Sequence, residues 1–189
     1  MAIVAPMTLE EELAAASEAA RAHAADGEEL AAVIPAEPGE GARVYLCAYV
    51  RGEERKWLAL DSSGRPLAER ALVRDAVSIA AMCELAEESA GGGDLGELRA
   101  RLVELRLTEN PEGIDDAEVA AAELQGALRP APRVASVAYL DAVGFAAGRL
   151  EEALGEVGGS PFAESMKGGI AAADELADDV ERGYKGPLG

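Results

Sequence analysis

RVYLCAYVRGEERKWLALD (residues 43–61) is the stretch whose period decides the fold. Apolar residues alternate at Val44, Leu46, Ala48 and Val50, with Tyr45, Cys47 and Tyr49 between them, so this segment reads as a strand with two distinct faces. Arg51-Gly52-Glu53-Glu54 is turn chemistry, and Arg55 to Asp61 forms a second alternating run. Asp61-Ser62-Ser63-Gly64 is another turn, after which Arg65-Pro66-Leu67 adds a short edge strand, a place where proline is tolerated. The expected element is a two- or three-stranded antiparallel meander, too small to be stable without helices against it.

Outward from the meander the period lengthens to that of a helix. On the N-terminal side, Thr8 and Glu11 have capping-box spacing and open an Ala-rich helix that stops near Asp26-Gly27. A turn around residues 28–33 and a stiff connector with Pro35, Pro38, Gly39 and Gly41 follow. On the C-terminal side everything after Glu69 reads as helix. Residues 70–89 are apolar on several sides. Leu95, Leu98, Leu102 and Leu105 repeat at helical spacing behind an Asp94/Glu97 capping box, and Asp115 with Glu118 caps the next helix, to Leu128. A helix over 134–154 carries Leu140, Val143, Ala147, Leu150 and Leu154 on one stripe, with Gly144 and Gly148 suited to close helix contact. Ser160-Pro161 then opens a last helix whose stripe is Met166, Ile170, Ala173, Ala177 and Val180. The expected fold is α+β and predominantly helical, with about six helices packed around the meander. It is read as a single domain over 1–189: an acidic N-terminal helix and connector (1–42), the meander (43–68) and a helical bundle (69–189).

The chain is 189 residues long with a net charge of −19. The meander segment alone is positive: residues 43–74 carry seven basic and four acidic side chains, whereas residues 1–42 carry nine acids and one Arg. A field this negative repels nucleic-acid phosphates, so general DNA or RNA binding is excluded. No apolar stretch is long enough for a membrane span, and the N-terminus lacks the pattern of a signal peptide. Cys47 and Cys83 are read as two reduced thiols, so the expected location is cytoplasmic.

Several motifs fail on their physics. Residues 91–96 match G-x-G-x-x-G, but a helix enters the glycines where dinucleotide binding needs a strand. The one histidine, His23, leaves Ser and Cys nucleophiles without their usual base and excludes His-rich metal sites.

Two candidate sites remain. On the strands, Tyr45, Tyr49 and Trp57 are three of seven aromatics and are assigned to one face, with Arg43, Arg51 and Arg55 at its rim. Aromatic area with planar guanidinium groups is the composition of an interaction hot spot. It implies a non-catalytic binding or protein-interaction module taking a protein partner, a second protomer (a homodimer) or a small anionic ligand, with no cofactor. The competing reading of the same face is that the acidic helix over 8–26 covers it. The alternative function is a divalent-metal hydrolase of a phosphorylated small molecule. Glu84, Glu87 and Glu88 share one helical face and are the candidate ligands for Mg²⁺ or Mn²⁺, hard cations that prefer oxygen. Glu84-x-x-Glu87 followed by Glu112-x-x-Asp115 resembles the spacing in helical nucleotide pyrophosphohydrolases of the MazG type over about 30 residues. Glu112 departs from that pattern, lying on a turn between Pro111 and Gly113.

Overall fold

A two-residue loop sets the phase of the sheet. The computed structural model describes residues 7–39, 42–90, 94–129, 133–155, 157 and 161–186. Among these, the elements run α1 (Leu9–Ala22), β1 (Glu29–Gly39), β2 (Ala42–Arg51), β3 (Glu54–Leu60), α2 (Arg70–Ala90), α3 (Asp94–Thr108), α4 (Ile114–Leu128), β4 (Ala135–Ser136), α5 (Val137–Leu154) and α6 (Pro161–Arg182). The fold is therefore α+β with six helices, and the chain forms four strands rather than the two or three expected. It divides into two compact units, residues 1–77 with 176–189, and residues 78–175.

In the first unit β1, β2 and β3 form an antiparallel meander. Arg51 pairs with Glu54 across Gly52-Glu53, and Gly52 takes the positive φ of 61° that a hairpin of this length demands at its first loop position. From that pairing the register runs Tyr49 to Lys56, Ala48 to Trp57, Cys47 to Leu58 and Tyr45 to Leu60. Directly paired residues share a face. Tyr45, Cys47 and Tyr49 therefore lie with Leu58 and Leu60, while Trp57 and Ala59 lie with Leu46 and Ala48. This corrects the single aromatic face: with an even number of loop residues, odd positions of β2 oppose even positions of β3.

β1 occupies residues expected to be a turn and a structureless connector. A bulge between Leu30 and Ala32 separates Leu30 and Val33, both facing the tyrosine side, by three positions instead of two, which hides the alternation. Pro35 pairs with Tyr45, and Pro38 falls in a second irregularity, between Ala36 and Gly39, where the ladder tolerates a missing N–H. The expected edge strand at 65–67 is one bridge, Leu60 to Pro66.

Both faces of β2 are buried, from Val44 through Tyr49. The capping box of α1 forms as its sequence dictates: Thr8 Oγ1 accepts the Glu11 N–H at 3.3 Å, and Glu11 accepts the Thr8 N–H at 2.8 Å. Ala16 and Ala20, with Leu13 and Ala19 beside them, pack on Tyr45, Cys47, Tyr49, Leu58 and Leu60. Alanine on the contact stripe lets this helix lie close to the sheet. The outer edge of β3 takes the end of α6: Trp57 N–H donates to the Gly183 carbonyl at 3.0 Å, and Lys185 N–H to the Trp57 carbonyl at 2.8 Å. Arg74 joins α2 to α6 through Asp178 at 2.8 Å.

The second unit is built on α3, α4 and α5. Leu95, Leu98 and Leu102 of α3, Ile114, Ala117, Ala121, Leu124 and Leu128 of α4, and Val143, Leu150 and Leu154 of α5 form one core. The α3 stripe lies where its spacing places it; of the α5 stripe Val143, Ala147, Leu150 and Leu154 meet this core, whereas Leu140 is half-buried outside it. Four local expectations need correction or fall away. Gly113, which has no side chain to cap with, precedes α4, so Asp115 lies inside its first turn. Ser136 caps α5 by accepting the Tyr139 N–H at 3.2 Å, so the helix begins after Val134. Gly144 and Gly148 are exposed and make no close helix contact among the described residues. The Asp94 cap, the Ser160 cap and the Met166 and Ile170 side chains lie outside the described residues.

Gly64 has φ +77°, and a Cβ there would stand 2.8 Å from the Ala19 Cβ. Gly64→Ala is expected to combine left-handed backbone strain of about 1–2 kcal/mol with this clash. Chemical denaturation should show lower stability, whereas the same change at exposed Gly148 should not reduce it.

Candidate functional site

The tyrosine side of the sheet reaches α1 through its hydroxyls. Tyr49 is fully buried and donates to the Ala20 carbonyl at 2.8 Å, a carbonyl that also accepts the His23 N–H at 2.9 Å where α1 ends. Burial and the nearby Cys47 and Glu28 push its hydroxyl well above the ordinary tyrosine range. Tyr45 donates to Glu12 at 3.1 Å, and its ionisation is likewise raised, by burial first and by Glu12 second. Cys47, enclosed between the two rings, is pushed up to about 12 by burial. It is a neutral thiol at physiological pH and is not available as a nucleophile.

At one end of this layer the side chains open into a cleft of about 370 Å³ between α1, the turn-side ends of β1 and β2, and the loop after β3. Its lining includes Met7, Glu12, Glu37, Arg43, Tyr45 and Asp61. Arg43 lies at the centre. Its Nη1 donates to Glu12 at 2.6 Å, its Nε donates to Glu37 at 2.9 Å, and its Nη2 makes a second bond to Glu37. The Glu37 hydrogen bonds raise the guanidinium further above its already high range. Asp61 organises the loop, accepting from Ser63 N–H at 2.8 Å and Arg65 N–H at 3.0 Å. Burial works to raise its carboxyl, but the bonds from Ser63 and Arg65 outweigh it and hold the group below the usual range. With three carboxylates and one guanidinium, the lining is net negative.

The residues singled out from the sequence are thereby dispersed. Arg43 and Tyr45 line the cleft. Tyr49 lies beneath α1. Trp57 is 9% exposed on the other side of the sheet, with Arg55 stacked over its ring at 5.9 Å. Arg51 is exposed and faces Glu54 at 3.6 Å. The expected continuous aromatic surface with an arginine rim does not form, because α1 covers the tyrosines and the register turns Trp57 away. Glu84 is exposed on α2, and the side chains of Glu87 and Glu88 lie outside the described residues. Among the described residues no group of three or more His, Cys, Asp or Glu side chains is placed to hold a metal.

Sequence reasoning missed Glu12, Glu37 and Asp61. Glu12 had a signal: it stands four residues before Ala16 and eight before Ala20, a carboxylate on the buried stripe of an otherwise apolar helix face. Lys185 was also missed. Its ammonium donates to the His23 carbonyl at 2.7 Å, bonds to Glu28 and lies 4.0 Å from the Tyr49 ring centroid. The segment after α6 is thus tied to the α1–β1 turn by an ion pair and to β2 by a cation–π contact. Tyr184 beside it donates to the Leu67 carbonyl at 2.7 Å and accepts the Ala59 N–H at 3.0 Å.

No known family model, curated protein or solved structure matches this chain.

The Lys185 bond, followed by the Ala25 N–H, holds the Glu28 carboxyl below its ordinary range. A carboxyl depressed in the folded state contributes stability above its unfolded value, about 4.3, and loses it as pH falls through the folded value. The melting-temperature difference between the native chain and Glu28→Gln should therefore be largest near neutrality. It should vanish at pH well below the carboxylate range; a difference constant with pH would contradict this.

Proposed function

We propose that the protein is a non-catalytic, cytoplasmic binding module whose cleft receives a cationic side chain from a basic segment of a protein partner. The observation that carries this reading is the Arg43 centre of the cleft. Its guanidinium is already bonded to Glu12 and Glu37, so its charge is spent within the molecule, and with Asp61 meeting the exposed Arg65 guanidinium at 3.3 Å the three carboxylates still outnumber the two arginines. An anionic ligand would have to displace two carboxylates from Arg43. An ammonium or guanidinium group would add to an existing carboxylate network, where bidentate geometry is favoured. The chain's net charge of −19 further supports a basic partner, since it accelerates the approach of cations and repels anions.

One further feature accords with the cytoplasmic part of the reading. Both cysteines are free and buried. Among the described residues no helix is long and apolar enough to cross a membrane.

The test is calorimetric titration with short arginine- and lysine-containing peptides, and with acidic peptides of equal length. Basic peptides should bind, more weakly as salt is raised. Glu37→Gln should weaken them roughly five- to tenfold, the equivalent of about 1 kcal/mol, with circular dichroism unchanged. Preferential binding of the acidic peptides, or basic-peptide affinity indifferent to Glu37→Gln, would overturn the reading.

A further inference from the structure

The second unit carries a separate feature. Along the outside of the α3–α4 hairpin runs a groove of about 810 Å³ floored by Leu102 and Ala121. Its walls expose Val103 at 50%, Leu107 at 80% and Val119 at 54%. These are three of the five large apolar side chains most exposed among the described residues, the others being Met7 and Phe145. Val103 and Leu107 are one helical turn apart on α3, with Val119 across the groove on α4. The three line one groove together, unlike the scattered single exposures that any surface carries.

Charge specifies what can cover this strip. α4 carries Asp115, Asp116, Glu118 and Glu123 and no basic residue. α3 carries Arg99, Arg101 and Arg106 against an equal number of acids. The pairs already formed run across the groove: Arg106 donates to Glu118 at 2.6 Å and stands 3.7 Å from Asp115, and Arg99 bonds to Gln125. The charged residues lining the groove, Arg99 and Arg106 against Asp115 and Glu118, balance, in a chain that is otherwise strongly acidic. Here a second copy can approach without the like-charge repulsion that the rest of its surface imposes. Two antiparallel hairpins related by a two-fold axis bring the arginine-bearing α3 of each against the acidic α4 of the other. The exchange is self-complementary, and four helices of this kind bury apolar strips along a common seam.

We infer that the α3–α4 face is the homodimer interface of this protein, with Val103, Leu107 and Val119 at its centre and Arg106 exchanging partners with Glu118 of the second copy. This rests on the second unit alone and is independent of the cleft in the first.

The experiment is sedimentation velocity on the full chain at physiological salt, over concentrations up to those of a concentrated stock. The native chain should sediment as a dimer. Leu107→Glu should give a monomer with unchanged circular dichroism, and Phe145→Glu, on exposed α5 surface, should leave the dimer intact. Arg106→Glu and Glu118→Arg chains should each be monomeric alone and form a heterodimer when mixed, because in the mixture every cross-interface pair again has opposite signs. Restoration by mixing distinguishes pairing between chains from the pairing within one. A native chain that stays monomeric at the highest concentration would overturn the inference. So would a dimer indifferent to Leu107→Glu, or charge-reversed chains that fail to associate when mixed.

Discussion

β2 is covered on both sides, and the first unit is organised around that constraint. A strand with one solvated face could present its tyrosines to a partner. Here Val44, Leu46 and Ala48 are buried on one side and Tyr45, Cys47 and Tyr49 on the other. A strand in that position reads as a nearly unbroken apolar run, which residues 44–50 do. The two tyrosines meet the requirement without stranding a hydroxyl: each ring packs under α1 and each OH reaches an acceptor on that helix. The aromatic residues thus hold helix to sheet.

Covering that face also determines where polar chemistry can collect. Arg43, on the same side as the tyrosines but beyond the end of the packed layer, meets the first turns of α1 and the end of β1, where Glu12 and Glu37 lie. An arginine that reads from sequence as a lone cation at a rim becomes the centre of a carboxylate cluster, and the local charge changes sign. At the other end of the same layer Glu28 receives Lys185 from the far end of the chain. Each end of the α1–sheet contact is closed by an ion pair whose partners are distant in sequence.

The second unit follows simpler rules. Its three helices bury the stripes their leucine spacing announces, and its salt bridges lie outside the core, where a single exposed pair contributes about 0–1 kcal/mol. Val103, Leu107 and Val119 do not fit that scheme, since they are apolar positions on the outward side of helices whose inward side is already complete. A small helical unit that leaves such a strip exposed gains by burying it against another surface.

The helices, the cap of α1 and the hairpin turn are legible in the chain because their causes are local: a Thr8–Glu11 exchange, a 3–4 spacing of leucines, a glycine at a hairpin turn. Strand β1 was hidden because one bulged residue shifts the phase of its alternation and two prolines disguise it as a connector. The faces of β2 were legible, but their relation to β3 was not. Which side Trp57 takes depends on how the strands pair across the loop, and a shift of one residue moves every side chain of a strand to the other face. The cleft was least legible. Its residues come from α1, β1, β2 and the loop after β3, and only chain closure brings Glu12, 31 residues before Arg43, to 2.6 Å from it. Sequence alone determined which segments are helical and that the chain is strongly acidic, because propensity and composition act within a few residues. Tertiary structure decided which faces are covered and what charge surrounds each arginine, because burial and Coulomb interactions depend on neighbours in space.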